Sequence, residues 1–286
     1  MLSWREMISV PTATLPTGEQ VPALGQGTWQ MGDNARRRKE EVAALRLGFD
    51  LGMTLVDTAE MYASGGAEEV VAQAIAGRRD EIFIVSKVLP QNASRRGTVA
   101  ACEKSLKRLK VETIDLYLLH WPGNVAFAET LDAFTTLKAA GKIRHWGVSN
   151  FDVDEMDAVV SLPGGRAVVS NQVMYNLNRR GIEFSLLPWC EKHRVAIMAY
   201  SPLDQGKLLR SRELERIAVK HSATLPQIAL AWVLREKNMI AIPKAGSEAH
   251  VRENHGALKV RLDKDDLAAL DRAFPPPGRK KSLEMT

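Results

Sequence analysis

Short apolar segments alternate with longer amphipathic segments along most of the chain, and this alternation limits the possible folds more than any other feature of the sequence. Short apolar runs bounded by polar residues or glycine predict buried strands, whereas apolar residues every three or four positions predict helices. The strands are predicted at residues 24–27, 55–57, 82–86, 114–119, 143–148, 168–172, 195–200 and 239–242. The helices are predicted at residues 36–52, 66–76, 98–109, 127–140, 153–161, 181–193, 212–236 (two helices broken near Pro226) and 248–257.

Eight strand–helix units in one chain of 286 residues predict a closed α/β barrel, the (β/α)8 TIM barrel, rather than an open sheet. A short β-hairpin is predicted ahead of the barrel, with Met7–Val10 and Gln20–Val21 flanking a turn at Pro11–Gly18. An extra helix at residues 264–273 and a tail beginning at residues 275–277 are predicted to cap or cover the barrel. No linker divides the chain, so residues 1–286 are predicted to form a single barrel domain.

Composition narrows the class of protein further. Hydrophobic residues make up 45% of the chain, yet no run is long enough for a membrane span or a signal peptide. Two cysteines are too few for a disulfide framework or a thiolate zinc site, and a cytoplasmic location is the simplest expectation. The net charge of +5 comes from basic residues mixed with acidic ones, which favours anionic small ligands over nucleic acid.

Polar side chains follow three consecutive predicted strands. Asp57 ends the first of these strands and Tyr62 lies on the loop after it, Lys87 follows the second, and His120 follows the third. The carboxyl ends of parallel strands meet at one edge of a barrel, so these four groups are expected to lie together. Gly25-x-Gly27 lacks the third glycine of a Rossmann turn, so the first strand does not predict that fold.

The four groups have the chemistry that carbonyl reduction requires. A tyrosine can donate the proton, and a nearby ammonium is expected to lower the pKa of Tyr62 and make it a better acid. Asp57 would pair with the buried Lys87, and His120 would donate a hydrogen bond to the carbonyl oxygen. Taken singly, each residue would more often be structural, but four at strand ends favour catalysis. The remaining histidines show no metal-ligand spacing, and no metal site is predicted.

Nearly the whole chain resembles the aldo-keto reductase family. The resemblance rests on short segments at predicted strand ends: Gly27-Thr28-Trp29, Asp57-Thr58-Ala59 with Tyr62, Ser86-Lys87, Leu119-His120-Trp121-Pro122, Gly147-Val148-Ser149-Asn150-Phe151, Asn171-Gln172 with Tyr175-Asn176, Tyr200-Ser201-Pro202-Leu203 and Ile242-Pro243-Lys244. It implies that Asp57, Tyr62, Lys87 and His120 are the catalytic tetrad. It also implies an NADPH-dependent enzyme that reduces small aldehydes or ketones.

The resemblance further implies where an extended nicotinamide dinucleotide would bind. The implied cofactor-binding residues are Gly27, Thr28, Trp29, Asp57, Ser149, Asn150, Gln172, Tyr200, Ser201, Leu203, Gln205, Lys244, Ser247, His250, Glu253 and Asn254. Two positions depart from the family pattern, because Ala245 stands where many members have Ser and His250 where NADPH-selective members have Arg. A neutral imidazole binds phosphate less well than a guanidinium, so NADPH is expected to be preferred with reduced discrimination against NADH.

The resemblance implies a substrate pocket walled by Trp29 and Trp121, with Leu89 where some members have another Trp. The short segment between residues 121 and 127 predicts an open pocket, and the pattern is most similar to bacterial reductases of methylglyoxal and related 2-oxoaldehydes. A monomer that binds a small carbonyl compound, and neither membrane nor nucleic acid, is expected. Two alternatives remain: an NADP(H)-binding barrel that acts as a sensor or structural subunit, and a metal-dependent barrel hydrolase, which would need clustered His or carboxylate ligands.

Overall fold

A computed structural model describes residues 9–285, except for the side chains of Leu209 and Arg210. The strands are β1 (Thr12–Thr14), β2 (Gln20–Pro22), β3 (Gln26–Gly27), β4 (Leu55–Asp57), β5 (Phe83–Val88), β6 (Ile114–Leu119), β7 (Ile143–Ser149), β8 (Ser170–Met174), β9 (Ala196–Tyr200) and β10 (Met239–Ala241). The helices are α1 (Arg38–Asp50), α2 (Gly66–Ala74), α3 (Arg95–Leu109), α4 (Phe127–Ala139), α5 (Val153–Ser161), α6 (Leu186–His193), α7 (Arg212–Lys220), α8 (Leu225–Val233), α9 (Glu248–Gly256) and α10 (Lys264–Ala273).

The strands β3 to β10 form one parallel sheet in which each strand pairs with the next along the chain. The sheet closes on itself because the Gly25 amide donates to the Ala241 carbonyl at 2.9 Å and the Gly27 amide donates to the Pro243 carbonyl at 3.1 Å. At this seam a Cβ on Gly27 would lie 2.7 Å from the Ile242 carbonyl oxygen, so the close approach requires glycine. The predicted eight-stranded barrel is therefore confirmed.

The hairpin before the barrel is present, but its first strand was placed wrongly. β1 pairs antiparallel with β2 and lies within the predicted turn, whereas Ser9 and Val10 are not in a strand and Met7 and Ile8 lie outside the described residues. Ala13, Leu15 and Val21 are buried against apolar side chains inside the barrel. Burial of these residues, which the local sequence does not show, favours the extended conformation here.

Two helical regions differ in detail from the prediction. The segment at residues 212–236 is divided into α7 and α8, as predicted, but Pro226 lies in the first turn of α8, where proline is tolerated because its missing amide has no helical partner. The Thr224 side chain caps this helix by accepting from the Gln227 amide. The predicted helix at residues 181–193 begins instead as a 3-10 turn, and α6 starts only at Leu186.

Alternate residues of the barrel strands form two separate cores. The inner core fills the barrel and includes Leu55, Val85 and Leu118, whereas the outer core lies between strands and helices and includes Val56 and Tyr117. Side chains point alternately to the two faces of a strand, so one residue faces the barrel and the next faces the helices. This alternation decides which polar side chains can enter the barrel.

The tail after α10 covers part of the barrel, as predicted. Leu283 packs against the outer core, and the Glu284 carboxylate accepts from Arg179 at 2.5 Å. Met285 thereby reaches the open end of the barrel. Among residues 9–285, no helix is both long and apolar enough to cross a membrane.

The two cysteines are buried and unpaired. Cys102 lies on α3 and Cys190 on α6, on the helical side of the outer core. Burial raises the pKa of each thiol to about 12.

Candidate active site

Strand periodicity brings three of the predicted catalytic side chains into the barrel. Asp57, Lys87 and His120 each lie two positions after an inward-facing apolar residue of β4, β5 or β6. Because side chains alternate along a strand, all three also face inward, at the carboxyl end of the sheet. The strands thus stack a polar layer on top of the inner core.

Lys87 is the centre of this polar layer. Its side chain is fully buried, and its ammonium lies 2.8 Å from each carboxylate oxygen of Asp57. The same nitrogen donates to the Thr58 carbonyl at 2.9 Å and lies 3.2 Å from the Tyr62 hydroxyl. A buried ammonium with three partners is held in one position, so the Tyr62 hydroxyl has a fixed cation beside it.

The protonation of the buried pair follows from burial and mutual attraction. Burial alone would lower the pKa of Lys87, but the neighbouring Asp57 and Tyr62 oxygens raise it above its ordinary value. Burial raises the pKa of Asp57, and Lys87 and the Gln172 amide, which donates to Asp57 at 2.7 Å, oppose this rise. Asp57 Oδ2 accepts a charge-assisted hydrogen bond from Lys87, and Oδ1 accepts from Gln172, so both contacts favour the carboxylate form of Asp57.

Tyr62 begins a short 3-10 turn that follows β4 and precedes α2. Burial raises the pKa of its phenol, and the Lys87 ammonium reduces this rise without reversing it. The expected lowering of the Tyr62 pKa is therefore wrong for the protein alone, because desolvation of the phenolate outweighs the attraction of the cation. Tyr62 keeps its proton at neutral pH, which is the state a proton donor needs.

His120 is neutral under ordinary conditions. Burial, together with repulsion from the Lys87 ammonium, lowers the pKa of the imidazole to about 2. Its ring meets the Tyr62 ring edge-on, with centroids 5.8 Å apart, and lies beside the Trp121 ring. A neutral imidazole can donate one hydrogen bond to an oxygen without adding a charge.

An open cavity of about 320 Å³ lies above this layer. Asp57, Tyr62 and His120 line it. The other lining residues are Gly27, Trp29, Met61, Trp121, Ser149, Asn150, Gln172, Tyr200, Ser201, Ile242 and Met285. The cavity thus brings together three of the four predicted catalytic residues, with Lys87 buried behind them, and two of the three predicted pocket residues.

Neutral polar groups from β7, β8 and β9 and the loop after β7 form a wall of the cavity. The Ser149 hydroxyl donates to the Gln172 carbonyl, and the Asn150 amide donates to the His120 carbonyl at 3.1 Å. The Tyr200 hydroxyl donates to the side-chain amide oxygen of Asn150 at 2.9 Å, which fixes the ring at the cavity edge. Amide and hydroxyl groups beside a flat ring match the chemistry of a carboxamide-bearing aromatic ligand.

Other predicted cofactor residues lie away from the cavity. Thr28 is fully buried, and its hydroxyl donates to the Asp57 carbonyl at 2.9 Å. The remaining predicted residues fall on the loops after β9 and β10 and in α9: Leu203, Gln205, Lys244, Ser247, His250, Glu253 and Asn254. They continue the line of the wall residues, since β7 to β10 are neighbours in the barrel.

Leu89 does not line the cavity, in contrast to the prediction. It follows β5 in an extended conformation, and its amide donates to the Glu60 carboxylate at 2.7 Å. Met61, Ile242 and Met285 line the cavity instead and were not predicted. Met61 is next to Tyr62 in sequence and Ile242 directly follows β10, so strand-end position could have identified these two. Only the folded tail brings Met285 there.

No group of three His, Cys, Asp or Glu side chains that could hold a metal ion occurs within the described part of the chain.

Residues 23–274 match the model of the aldo/keto reductase family. The chain belongs to this family. This aldo/keto reductase is 51% identical over 270 residues to the methylglyoxal reductase YeaE of Escherichia coli, covering 93% of this chain and 95% of that protein. It is 33% identical over 261 residues to the glyoxal reductase of Bacillus subtilis, covering 91% of each chain.

Solved structures also resemble this aldo/keto reductase. An aldo/keto reductase from Klebsiella pneumoniae, in complex with NADP and acetate, is 47% identical and superposes with a TM-score of 0.94. The match covers 98% of this chain and 100% of that one. A structure of an enzyme from the same organism in complex with NADPH gives a TM-score of 0.95 at the same identity. The fold and the family are thus both shown.

Proposed function

We propose that this protein reduces small reactive aldehydes and ketones, methylglyoxal among them, to alcohols, with NADPH as reductant and Tyr62 as proton donor. One observation carries the proposal: the Tyr62 hydroxyl lies 3.2 Å from a fully buried ammonium, at the edge of a cavity that His120 also lines. The names of the methylglyoxal and glyoxal reductases and of the NADP complexes support the substrate class and the cofactor.

The cavity wall fits a nicotinamide. Ser149, Asn150 and Gln172 offer hydroxyl and amide groups, and Tyr200 offers a ring face at the same wall. We propose that these residues hold the carboxamide ring, with Gly27 and Trp29 along its edge and Ser201, Leu203 and Gln205 further along the cofactor. NADPH, when bound, supplies the hydride that no side chain can supply.

The proton is provided by the chain itself. Tyr62 donates its proton to the carbonyl oxygen as negative charge develops there, and the phenolate that remains lies beside the Lys87 ammonium. Asp57 keeps Lys87 charged and in place through contacts to both carboxylate oxygens. The ammonium thus stabilises a charge that exists only after proton transfer begins, which is the condition for catalysis.

The cavity limits what can be reduced. Its volume of about 320 Å³ and its Trp29, Trp121 and Met61 walls favour small substrates with an apolar side. We propose that neutral His120 donates a hydrogen bond to the carbonyl oxygen and directs it towards Tyr62, because a buried cation there would instead repel Lys87.

All four proposed catalytic groups come from one chain. The proposed reaction therefore needs only one barrel, and we infer a single-domain protein that acts as a monomer. A supply of NADPH and the buried, unpaired thiols are compatible with the cytoplasm, which we propose as its location. The alternative role of a sensor or structural subunit would retain cofactor binding without turnover.

The variant Tyr62→Phe tests the proposal. We expect kcat/KM for methylglyoxal to fall by about 10²–10⁴-fold, because the proton donor is lost. The dissociation constant for NADPH, measured by quenching of tryptophan fluorescence, should stay within about twofold of the wild-type value. The Tyr62 hydroxyl is not among the groups that we propose to hold the cofactor.

Tyr117→Phe is the matched control, because this tyrosine faces the outer core and not the cavity. It should leave both quantities nearly unchanged. Full activity in Tyr62→Phe would overturn the assignment of the proton donor. Absence of NADPH oxidation by the wild type with any small aldehyde, despite tight NADPH binding, would instead favour the sensor.

A further inference from the structure

Two cations from distant parts of the chain meet at one glycine. The Arg37 guanidinium donates to the Gly246 carbonyl at 3.3 Å through Nη2. A Cβ on Gly246 would lie 3.0 Å from this Arg37 nitrogen and 3.1 Å from the Lys244 ammonium nitrogen. Both cations therefore flank the same backbone position, at the turn that leads from β10 into α9.

Arg37 is held there by the first helix of the barrel. It ends a 3-10 turn at Ala35–Arg37 that Asn34 caps, and α1, which follows directly, packs against α9. The Glu40 carboxylate accepts from Arg37 Nε at 3.3 Å, so the fork is bound on one side and directs Nη2 towards Gly246. The side chain remains 46% exposed, which leaves room for a ligand.

We propose that Arg37 is a determinant of cofactor specificity, which together with Lys244 binds the phosphate on the adenosine ribose of NADPH. This inference rests on the proposed use of NADPH and adds a residue to that site. Position 250 carries His, and this side chain is exposed on α9. Arg37, at the end of the 3-10 turn before α1, supplies a guanidinium in place of the one that position 250 lacks.

The electrostatics favour this role. Two like charges held close together repel each other in the free protein, and a dianionic phosphate between them relieves that repulsion. A guanidinium also stays charged at every accessible pH and donates in a planar fork, whereas an imidazole does neither. With Arg37 in this role, we expect a clear preference for the phosphorylated cofactor, whereas His250 alone would give reduced discrimination against NADH.

A purely structural role for Arg37 makes a different prediction. If Arg37 only braced the turn through its hydrogen bond to Gly246, its loss would weaken the binding of NADPH and NADH alike. If it binds the phosphate, its loss would affect only ligands that carry one. Comparison of the two ligand classes separates these roles.

The experiment measures dissociation constants by isothermal titration calorimetry for wild type, Arg37→Ala, Arg37→Lys and Arg36→Ala. The ligands are NADPH, NADH, adenosine 2′,5′-bisphosphate and 5′-AMP. Arg37→Ala should weaken binding of the two phosphate-bearing ligands by about tenfold or more, the loss expected for one charge-assisted hydrogen bond. Binding of NADH and 5′-AMP should change by less than about twofold.

Arg37→Lys should recover part of the affinity, because it keeps the charge and loses the fork. Arg36→Ala controls for net charge, since Arg36 is a neighbouring exposed arginine of the same turn, and it should have little effect. Raising NaCl from about 50 to 500 mM should weaken NADPH binding more in wild type than in Arg37→Ala.

An equal loss for both ligand classes, or no loss for either, would overturn the inference. An equal loss in Arg36→Ala would overturn it as well, because net charge alone would then explain the effect. The binding of adenosine 2′,5′-bisphosphate requires no turnover. If the wild type reduced no aldehyde but bound this ligand in an Arg37-dependent way, the proposed function would fail while the role of Arg37 would stand.

Discussion

Replacing Lys87 with Met should destabilise the protein by about 3–5 kcal/mol at pH 8, because it leaves the Asp57 carboxylate buried without its cation. Met retains much of the length and the apolar stem of lysine, so little packing is lost. What disappears is an ammonium nitrogen 2.8 Å from both carboxylate oxygens. The Gln172 amide still donates to Asp57 at 2.7 Å, but a neutral dipole does not balance a full charge.

The loss of stability in Lys87→Met should depend on pH, whereas a loss of stability caused by a packing defect would not. In this variant Asp57 binds its proton more tightly in the folded state than in the unfolded state, where the carboxyl pKa is about 3.9. Below that pKa both states are protonated, and the loss is smallest. As the pH rises, the unfolded state ionises first, and the free energy of unfolding falls by about 1.4 kcal/mol per pH unit until the folded carboxyl also ionises. A penalty of about 3–5 kcal/mol therefore spreads over about two to four pH units.

Urea unfolding followed by circular dichroism, repeated from about pH 4 to pH 8, measures this loss. The double variant Lys87→Met, Asp57→Asn is the control, because it removes the charge while keeping the side-chain shape. It should regain more than half of the lost stability. If Lys87→Met lay within about 1 kcal/mol of wild type at pH 8, or if its loss did not change with pH, the carboxylate would not depend on the ammonium.

Two further predictions follow from single contacts. Because the pKa of His120 is lowered to about 2, the pH profile of kcat/KM should show no step from this residue between about pH 5 and pH 8. His120→Asn should lower kcat/KM without changing the shape of this profile. A step near pH 6.5 that vanishes in this variant would contradict the neutral imidazole. Gly48→Ala should lower the free energy of unfolding by about 1–3 kcal/mol in urea titrations, although alanine usually stabilises a helix, because the new Cβ would lie 2.1 Å from the Gln26 amide oxygen. Gln26 would then lose its hydrogen bonds to two buried carbonyls, and a gain in stability would refute this reasoning.

The barrel was predictable because the same sequence pattern, a short apolar strand followed by an amphipathic helix, repeats along the chain. Each strand is short and apolar, each helix is amphipathic, and eight repetitions leave few topologies. The hairpin strand at Thr12–Thr14 was missed because its local signal resembles a turn, with Pro11 before it and Gly18 after it. Its extended conformation depends on burying Ala13 and Leu15 against apolar side chains inside the barrel. Some of these side chains, such as Ile240, are more than two hundred positions away in the sequence.

The site was predictable to the extent that it lies at strand ends. Asp57, Tyr62, Lys87 and His120 were found because strand order and the family resemblance both place them at the same edge of the sheet. The direction of the Tyr62 pKa was not predictable, since it depends on the balance between burial and a cation 3.2 Å away. The approach of Arg37 to Gly246 was also hidden, because it joins residues more than two hundred positions apart.

The burial of the Cys102 and Cys190 thiols affects whether they can react with the proposed substrates. The proposed substrates are electrophiles, and the nucleophilic form of cysteine is the thiolate. Burial raises the pKa of the Cys102 and Cys190 thiols to about 12, and both lie on the buried sides of α3 and α6. At physiological pH both sulfurs are therefore buried thiols and not thiolates, and we expect neither to add to the carbonyl carbon of a reactive aldehyde.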